Sequence, residues 1–439
     1  MQVQVEEIND VKRKIHVEVP AERVSAAIDR SFASIQKKAT LSGFRKGKAP
    51  LAMIKKYYRA AMQDEVMRRL YEETLFPALT DNKLEPVDAP LIEDMSLIEE
   101  GTPFKYSALI EVMPKILLKD YKGLAVKKER YAADAAAVDA EIERMRENMA
   151  QLLPVEEGVV EAGMVLTVDY SFAVPGHPDE DSSGQDAQVE VGKGTLLPGL
   201  EEGLTGMALG ETKEIAVTLP DSHGNPELAG SGAVFTVTLK EMKKKELSAL
   251  DDEFAQQFGE FETLAEMRGK LAEIRETQMK ERIENDLKVR IIDALIEQNP
   301  LEVPDALVRR QTDFMLENMK NRLKGQNMSL EMMGLDEEGF RARFWPEATQ
   351  KVKGGLLVMA LVEQENIVVA DDDLEARYAK IAAGDETLLE RVRTFYAAQK
   401  NAHNSLIAEI KEDKAIAFLL EHAVISEVDA AELNGAAEQ

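Results

Sequence analysis

The apolar residues of this chain change their spacing along its length, and one core cannot serve both spacings. Between about residues 154 and 245 they alternate in short runs set between glycine-containing turns; beyond Glu246 they recur at helical intervals almost to the end. A period of two lines one face of a strand, whereas a period of about 3.6 lines one face of a helix. Separate folding units are therefore expected, and 439 residues suffice for them, because single cores stop growing beyond about 250 to 300 residues. The chain reads as a multi-domain α+β protein: an α+β unit over 1–114, a helical connector over 115–150, a small antiparallel sheet with one helix over 151–245, and an all-α region over 246–439.

Within the first unit, Val3-Gln4-Val5-Glu6 and Lys14-Ile15-His16-Val17-Glu18-Val19 flank Asn9-Asp10 and predict a hairpin. Pro20 opens a helix with Val24, Ile28, Phe32 and Ile35 on one side, and helices over about 51–61 and 63–80 precede strands near 91–98 and 103–112. The connector carries a helix from Ala132 to Met149. Strands are expected over Val165 to Val174, Ala187 to Val191, Thr212 to Leu219 and Ala233 to Met242, with a short helix near Pro198 to Leu204. Thr263-Leu264-Ala265-Glu266 reads as a capping box, Asn299-Pro300 ends that helix, and Val303-Pro304-Asp305 starts the next. Later helices fall over about 336–364, 371–383, 387–398 and 403–423, and Glu432 to Gln439 reads as a frayed tail.

The chain has no cysteine, which removes disulfides, thiolate nucleophiles and Cys-held metals. Met1 to Glu7 shows no basic stretch followed by an apolar one, and no apolar run approaches the ~20 residues of a membrane span, so a cytoplasmic protein is expected. Charge is divided unevenly. Residues 11–60 hold 13 Lys or Arg against 3 acids, while the whole chain carries −27. A polyanion would attract such a head and repel the acidic remainder.

The sharpest local signal lies in that head: Gly43-Phe44-Arg45-Lys46-Gly47-Lys48-Ala49-Pro50. Its glycines release the backbone around one aromatic and three cations. Exposed, such a loop fits a surface that is part RNA and part protein; folded back, it is an ordinary connection with its Phe in the core.

This string resembles the ribosome-docking signature of the trigger factor family, whose recurring elements are Gly-Phe-Arg, a following Gly and a closing Pro, and the resemblance extends over essentially the full chain. It implies docking on the large ribosomal subunit beside the nascent-chain exit through Gly43, Phe44, Arg45, Lys46, Gly47, Lys48 and Pro50. The middle region resembles the FK506-binding class of prolyl isomerases in Val168-Asp169-Tyr170, in Leu196-Leu197-Pro198-Gly199-Leu200-Glu201-Glu202-Gly203 and in Ala233-Val234-Phe235-Thr236-Val237. That resemblance places Tyr170, Asp181, Leu196, Leu197, Leu200, His223 and Phe235 at the pocket. It also exposes departures: Leu200 stands where an aromatic floor is usual, Glu180 precedes Asp181 where a Phe-Asp pair is expected, and Ala187 and Val189 replace aromatics. Such isomerases need no nucleophile, only an apolar pocket that favours the twisted amide over a barrier of ~18 to 20 kcal/mol. With its aromatic walls depleted, the pocket is expected to turn over weakly or not at all, and the family itself is enzymatic.

The helical region gathers Phe314, Met315, Met319, Met332 and Phe344, flexible and polarizable side chains suited to varied apolar partners. These are the expected client contacts, and unfolded or nascent polypeptides the expected clients. Gly192-Lys193-Gly194 lacks the remaining elements of a phosphate loop, and His177 and His223 near Asp179 and Asp181 read as solvated loop residues, so no nucleotide, cofactor, metal or membrane is expected. The leading function is an ATP-independent holding chaperone. The alternatives are a dedicated prolyl isomerase whose other domains deliver substrate and, less well supported, an RNA-binding scaffold; a homodimer off the ribosome is left open.

Overall fold

The computed structural model describes residues 1–434 except 43, 133, 175–181, 195, 198, 221–229 and 327. Two units share the chain, one formed by Met1–Arg130 with Ile283–Gln439 and the other by Tyr131–Arg282.

The first unit begins with a hairpin of β1 (Gln2–Glu7) and β2 (Lys12–Val19), paired Val3 to Val17. Asn9 makes its turn by accepting from the Val11 and Lys12 amides at 3.1 and 2.7 Å. Pro20 precedes α1 (Ala21–Lys38), and after the basic loop come α2 (Leu51–Tyr57) and α3 (Arg59–Asp81). The break between the last two falls at Tyr58, earlier than periodicity suggests, where the Tyr58 hydroxyl reaches back to the Thr40 carbonyl at 3.2 Å. β3 (Leu91–Met95) and β4 (Phe104–Glu111) complete a sheet of order β1-β2-β4-β3. Ile15, Val17, Val19, Phe104, Tyr106 and Ile110 bury their side chains with Val24, Ile28, Phe32, Val66 and Leu70 of the helices. Inside this core Thr74 Oγ1 donates to the Leu70 carbonyl at 2.6 Å and lies 2.9 Å from the Tyr106 hydroxyl.

Residues 115–150 are not uniformly helical. They hold β5 (Ala125–Glu129) as well as α4 (Ala135–Asn148), and only the latter lies in the second unit. There β6 (Gln151–Pro154), β7 (Met164–Ala173), β8 (Ser182–Glu190), α5 (Leu200–Leu204), β9 (Thr212–Thr218) and β10 (Gly232–Glu246) form a five-stranded sheet with its short helix. β10 is the organising strand, antiparallel to β6, β7 and β9. β6 was not anticipated: four exposed residues give no alternation to read. α6 (Asp252–Gln256) follows, and Phe254 and Met267 bury Val138 and Ile142 of α4.

α7 (Leu264–Gln298) starts at the predicted cap, with Thr263 Oγ1 accepting from the Glu266 amide at 3.2 Å. The reciprocal Glu266 contact goes to the Glu262 amide, one residue earlier than in a capping box. α8 (Asp305–Gly325), α9 (Glu337–Gln364), α10 (Asp371–Ala382), α11 (Glu386–Ala398) and α12 (Lys400–Glu421) then belong to the first unit. Ile291 and Leu295 of α7 pack with Leu357 and Leu361 of α9, Ile416 and Leu419 of α12, and Leu124 and Val126 at the start of β5. The helical region is not wholly α: β11 (Val424–Val428) pairs in parallel with β5, and α13 (Ala430–Asn434) follows it. Leu433 is buried and Glu432 meets Lys127 at 3.0 Å, so the tail's fraying does not extend to these residues.

The head is fastened to the start of α8. Lys12 Nζ lies 2.6 Å from Asp305 and 3.9 Å from Glu111, whose other oxygen accepts from the Ala306 amide at 2.8 Å. That amide is one of the donors a helix leaves unsatisfied at its N-terminus. The carboxylates, with the Asp305 hydrogen bond foremost, raise the Lys12 pKa.

Candidate functional site

The basic loop is held at its base and open at its tip. Gln36 Nε2 donates to the Ala49 carbonyl at 2.8 Å, Ala49 is buried, and the Lys48 amide closes a turn on the Arg45 carbonyl at 2.9 Å. Gly47 sits at φ +77, a left-handed backbone that favours glycine, and a Cβ there would meet the Lys37 carbonyl at an ordinary contact distance of 3.4 Å, so the backbone and not the space selects the residue. Phe44 is 40% exposed, and Arg45, Lys46, Lys48 and Pro50 are exposed as well. Among the described residues, none of these three cations has an ion-pair partner. The same is true of Lys37 and Lys38 at the end of α1, whose backbone adjoins Gly47. These two lysines were missed by sequence reasoning, although they contribute to the positive charge of residues 11–60. Gly43 lies outside the described residues.

In the second unit, β7 and β10 lay Tyr170 opposite Val237 and Phe172 opposite Phe235. The Phe172 and Phe235 rings are 4.8 Å apart and those of Phe235 and Tyr170 6.3 Å. Tyr170, Phe172, Phe235, Leu196 and Leu197 are half-buried on a core that includes Leu200 and Leu204, so the predicted pocket residues do share one apolar surface. Tyr170 lies against Gly184, where a Cβ would stand 2.6 Å from its ring. Phe172 was not foreseen; alternation from Val168 and Tyr170 would have found it. Asp181 and His223 lie outside the described residues, as do His177, Asp179 and Glu180.

The expected client contacts divide into two groups. Phe314 and Met332 are 61% and 71% exposed, whereas Met315, Met319 and Phe344 are half-buried against Leu316, Leu323 and Phe340. The Phe340 and Phe344 rings stack at 4.3 Å. Met328 and Met333 are exposed nearby in sequence. A cleft of about 1060 Å³ in the first unit, lined by Leu84, Met113, Ile116, Leu117, Pro300 and Leu301 among charged neighbours, offers a further apolar surface that periodicity did not reveal. Its signal in the sequence is faint, because the segment at Met113 to Leu117 has no regular secondary structure and so no period to read.

What these surfaces share is apolar area beside charge, which suits a protein that meets incompletely folded polypeptide. They define a multi-module chaperone with an isomerase-type domain set within its sequence. The family models agree: bacterial trigger factor protein (TF) matches residues 1–145, its C-terminus matches 263–421, and FKBP-type peptidyl-prolyl cis-trans isomerase matches 157–240. The trigger factor of Trichlorobacter lovleyi is 76% identical over 434 residues, covering 99% of each chain. That of Pelobacter propionicus is 53% identical over 433 residues, covering 98% of this chain and 99% of its own. A solved structure described as "Promiscuous Substrate Recognition in Folding and Assembly Activities of the Trigger Factor Chaperone" is 19% identical, with a TM-score of 0.45 over 96% of this chain and 99% of that one. The chain belongs to the trigger factor family, ribosome-associated chaperones of nascent chains with an FKBP-type domain. Among the described residues, no helix is long and apolar enough to cross a membrane.

Proposed function

We propose that the chain docks on the large ribosomal subunit beside the nascent-chain exit through Phe44, Arg45 and Lys46, and holds emerging polypeptide by apolar contacts without nucleotide. Docking is assigned to residues 1–114, isomerase-type chemistry to 151–245 and holding to 246–439, with 115–150 linking them. The observation that carries this reading is the half-open Phe44 followed by exposed cations that no described carboxylate neutralises. Gly43, Gly47, Lys48 and Pro50 shape the loop, and Lys37 and Lys38 widen its positive field. Phe314, Met332 and the half-buried Met315, Met319 and Phe344 are the client surface: the first two are already in solvent, and the others can follow by rotation of flexible side chains. The work takes place in the cytoplasm, and a homodimer off the ribosome would use the same exposed apolar surfaces.

Replacing Phe44, Arg45 and Lys46 together by Ala tests the docking role. A single interface anchor costs about 2 kcal/mol or more when truncated, so even if the three are not additive, ribosome co-sedimentation should weaken by at least ~30-fold with the fold unchanged. Undiminished binding would refute the role.

The Tyr170, Phe172 and Phe235 surface favours a second reading, a dedicated prolyl isomerase using Leu196, Leu197 and Leu200 as its apolar surround and Asp181 and His223 as polar partners. Proline-limited refolding with Phe235→Ala separates the two. A dedicated isomerase loses its benefit to refolding, and a holder keeps most of its suppression of aggregation.

A further inference from the structure

β7 and β10 carry matched inward rows that change character along the sheet. Val168 stands opposite Leu239, Tyr170 opposite Val237 and Phe172 opposite Phe235. At the first of these pairs both side chains are buried, whereas at the last both are half-exposed rings. The core thus opens, within a few residues of each strand, into an aromatic surface. Phe235 is its centre, with Phe172 at 4.8 Å and tilted by 50°, and Tyr170 at 6.3 Å and tilted by 43°.

The Tyr170 ring lies against Gly184, its partner on β8. A Cβ there would lie 2.6, 2.9 and 3.0 Å from Tyr170 Cε1, Cζ and the hydroxyl oxygen. The absent side chain leaves room for the Tyr170 ring against the neighbouring strand, and Tyr170, Phe172 and Phe235 all remain partly exposed on this surface.

We propose that Phe172 contacts substrate, as a third aromatic wall of the prolyl site beside Phe235 and Tyr170, and that Gly184 is a positioning residue for Tyr170. The inference rests on the isomerase reading of this domain. A pyrrolidine ring is apolar and packs on aromatic faces, which carry most of the contact area such a site can offer. Phe172 supplies that area in a site where Leu200, Ala187 and Val189 are aliphatic. A wall that touches the proline ring before and during rotation of the amide binds ground state and transition state alike. Its loss therefore appears in KM and leaves kcat nearly unchanged.

The test uses the full chain and a blocked tetrapeptide with leucine before its proline, measuring isomerisation over a range of peptide concentrations and peptide binding by titration. Phe172→Ala is expected to raise KM and weaken binding about tenfold, the scale of one lost aromatic contact, with kcat within about twofold. Phe172→Tyr should restore both. Phe172→Leu, which keeps apolar packing and removes the ring, should behave as the alanine variant and carries the test should the latter unfold. Gly184→Ala should shift the Tyr170 ring signals and raise KM. If Phe172→Ala and Phe172→Leu match the parent while Phe235→Ala loses activity, the role of Phe172 is overturned and the isomerase reading stands. If the parent chain neither binds nor isomerises the peptide, the isomerase reading itself falls, and this inference with it.

Discussion

Gly354 and Gly355 are adjacent in α9, and the structure predicts opposite outcomes for the same substitution. Gly354 is buried against α7, and a Cβ there would stand 2.6 Å from Ile292 Cγ2, whereas one at Gly355 meets nothing within 4 Å. In a helix interior, Gly→Ala gains about 1 kcal/mol from backbone entropy and propensity. Gly355→Ala should collect that gain and raise the melting temperature of this unit by about 2 to 4 °C. At Gly354 the gain is opposed by overpacking, which costs typically about 1 to 3 kcal/mol. The obstructing methyl belongs to a β-branched residue within a helix, where χ1 is nearly fixed, so it cannot turn aside and the upper part of that range applies. Gly354→Ala should therefore be destabilised by about 1 to 2 kcal/mol on balance. Calorimetry combined with hydrogen exchange of the α9 amides reads both variants in this unit. Equal stabilisation of the two would show that α7 and α9 do not approach as closely as described, and would refute the reasoning.

Two further outcomes follow from the head. Tyr106→Phe should cost about 1 kcal/mol, the usual worth of one hydrogen bond, since Thr74 keeps the Leu70 carbonyl as its acceptor. Burial raises the Tyr106 pKa, against a smaller lowering by Thr74, so the folded state retains its proton longer than the unfolded one. Its stabilisation is complete below the ordinary value of 10.0 and is lost as pH rises through the raised one, so alkaline denaturation scans should be shallower for the variant. Asp305→Asn should loosen the head from α8, with a loss of at most about 1 kcal/mol for so accessible a pair. Because the Lys12 pKa is raised, the difference from the parent should hold below 10.5 and shrink above it; a constant difference across that range would contradict the pairing.

The hairpin at Asn9, the helix after Pro20, the four strands predicted in the middle region and most C-terminal helices could be read from the sequence because their signals are local. Alternation, helical spacing, a proline or a capping threonine declare themselves within a few residues. The basic loop was legible for the same reason. β5 and β11 were not: Ala125 to Glu129 and Val424 to Val428 are short, exposed in part, and pair across about three hundred residues of sequence. No local pattern records a partner at that distance.

The sites divide along the same line. Composition and motif determined that a cationic loop with one aromatic heads an acidic chain, and that an isomerase-like sheet and a methionine-rich helical region follow it. Only the fold decided that the backbone of Lys37 stands beside Gly47, that Phe172 joins Phe235, and that Met332 is in solvent while Met315 and Met319 are half-buried. Residue type and spacing fix which side chains can lie on one face of an element, whereas exposure and partnership depend on what packs against that face, and that is set by register and long-range contact.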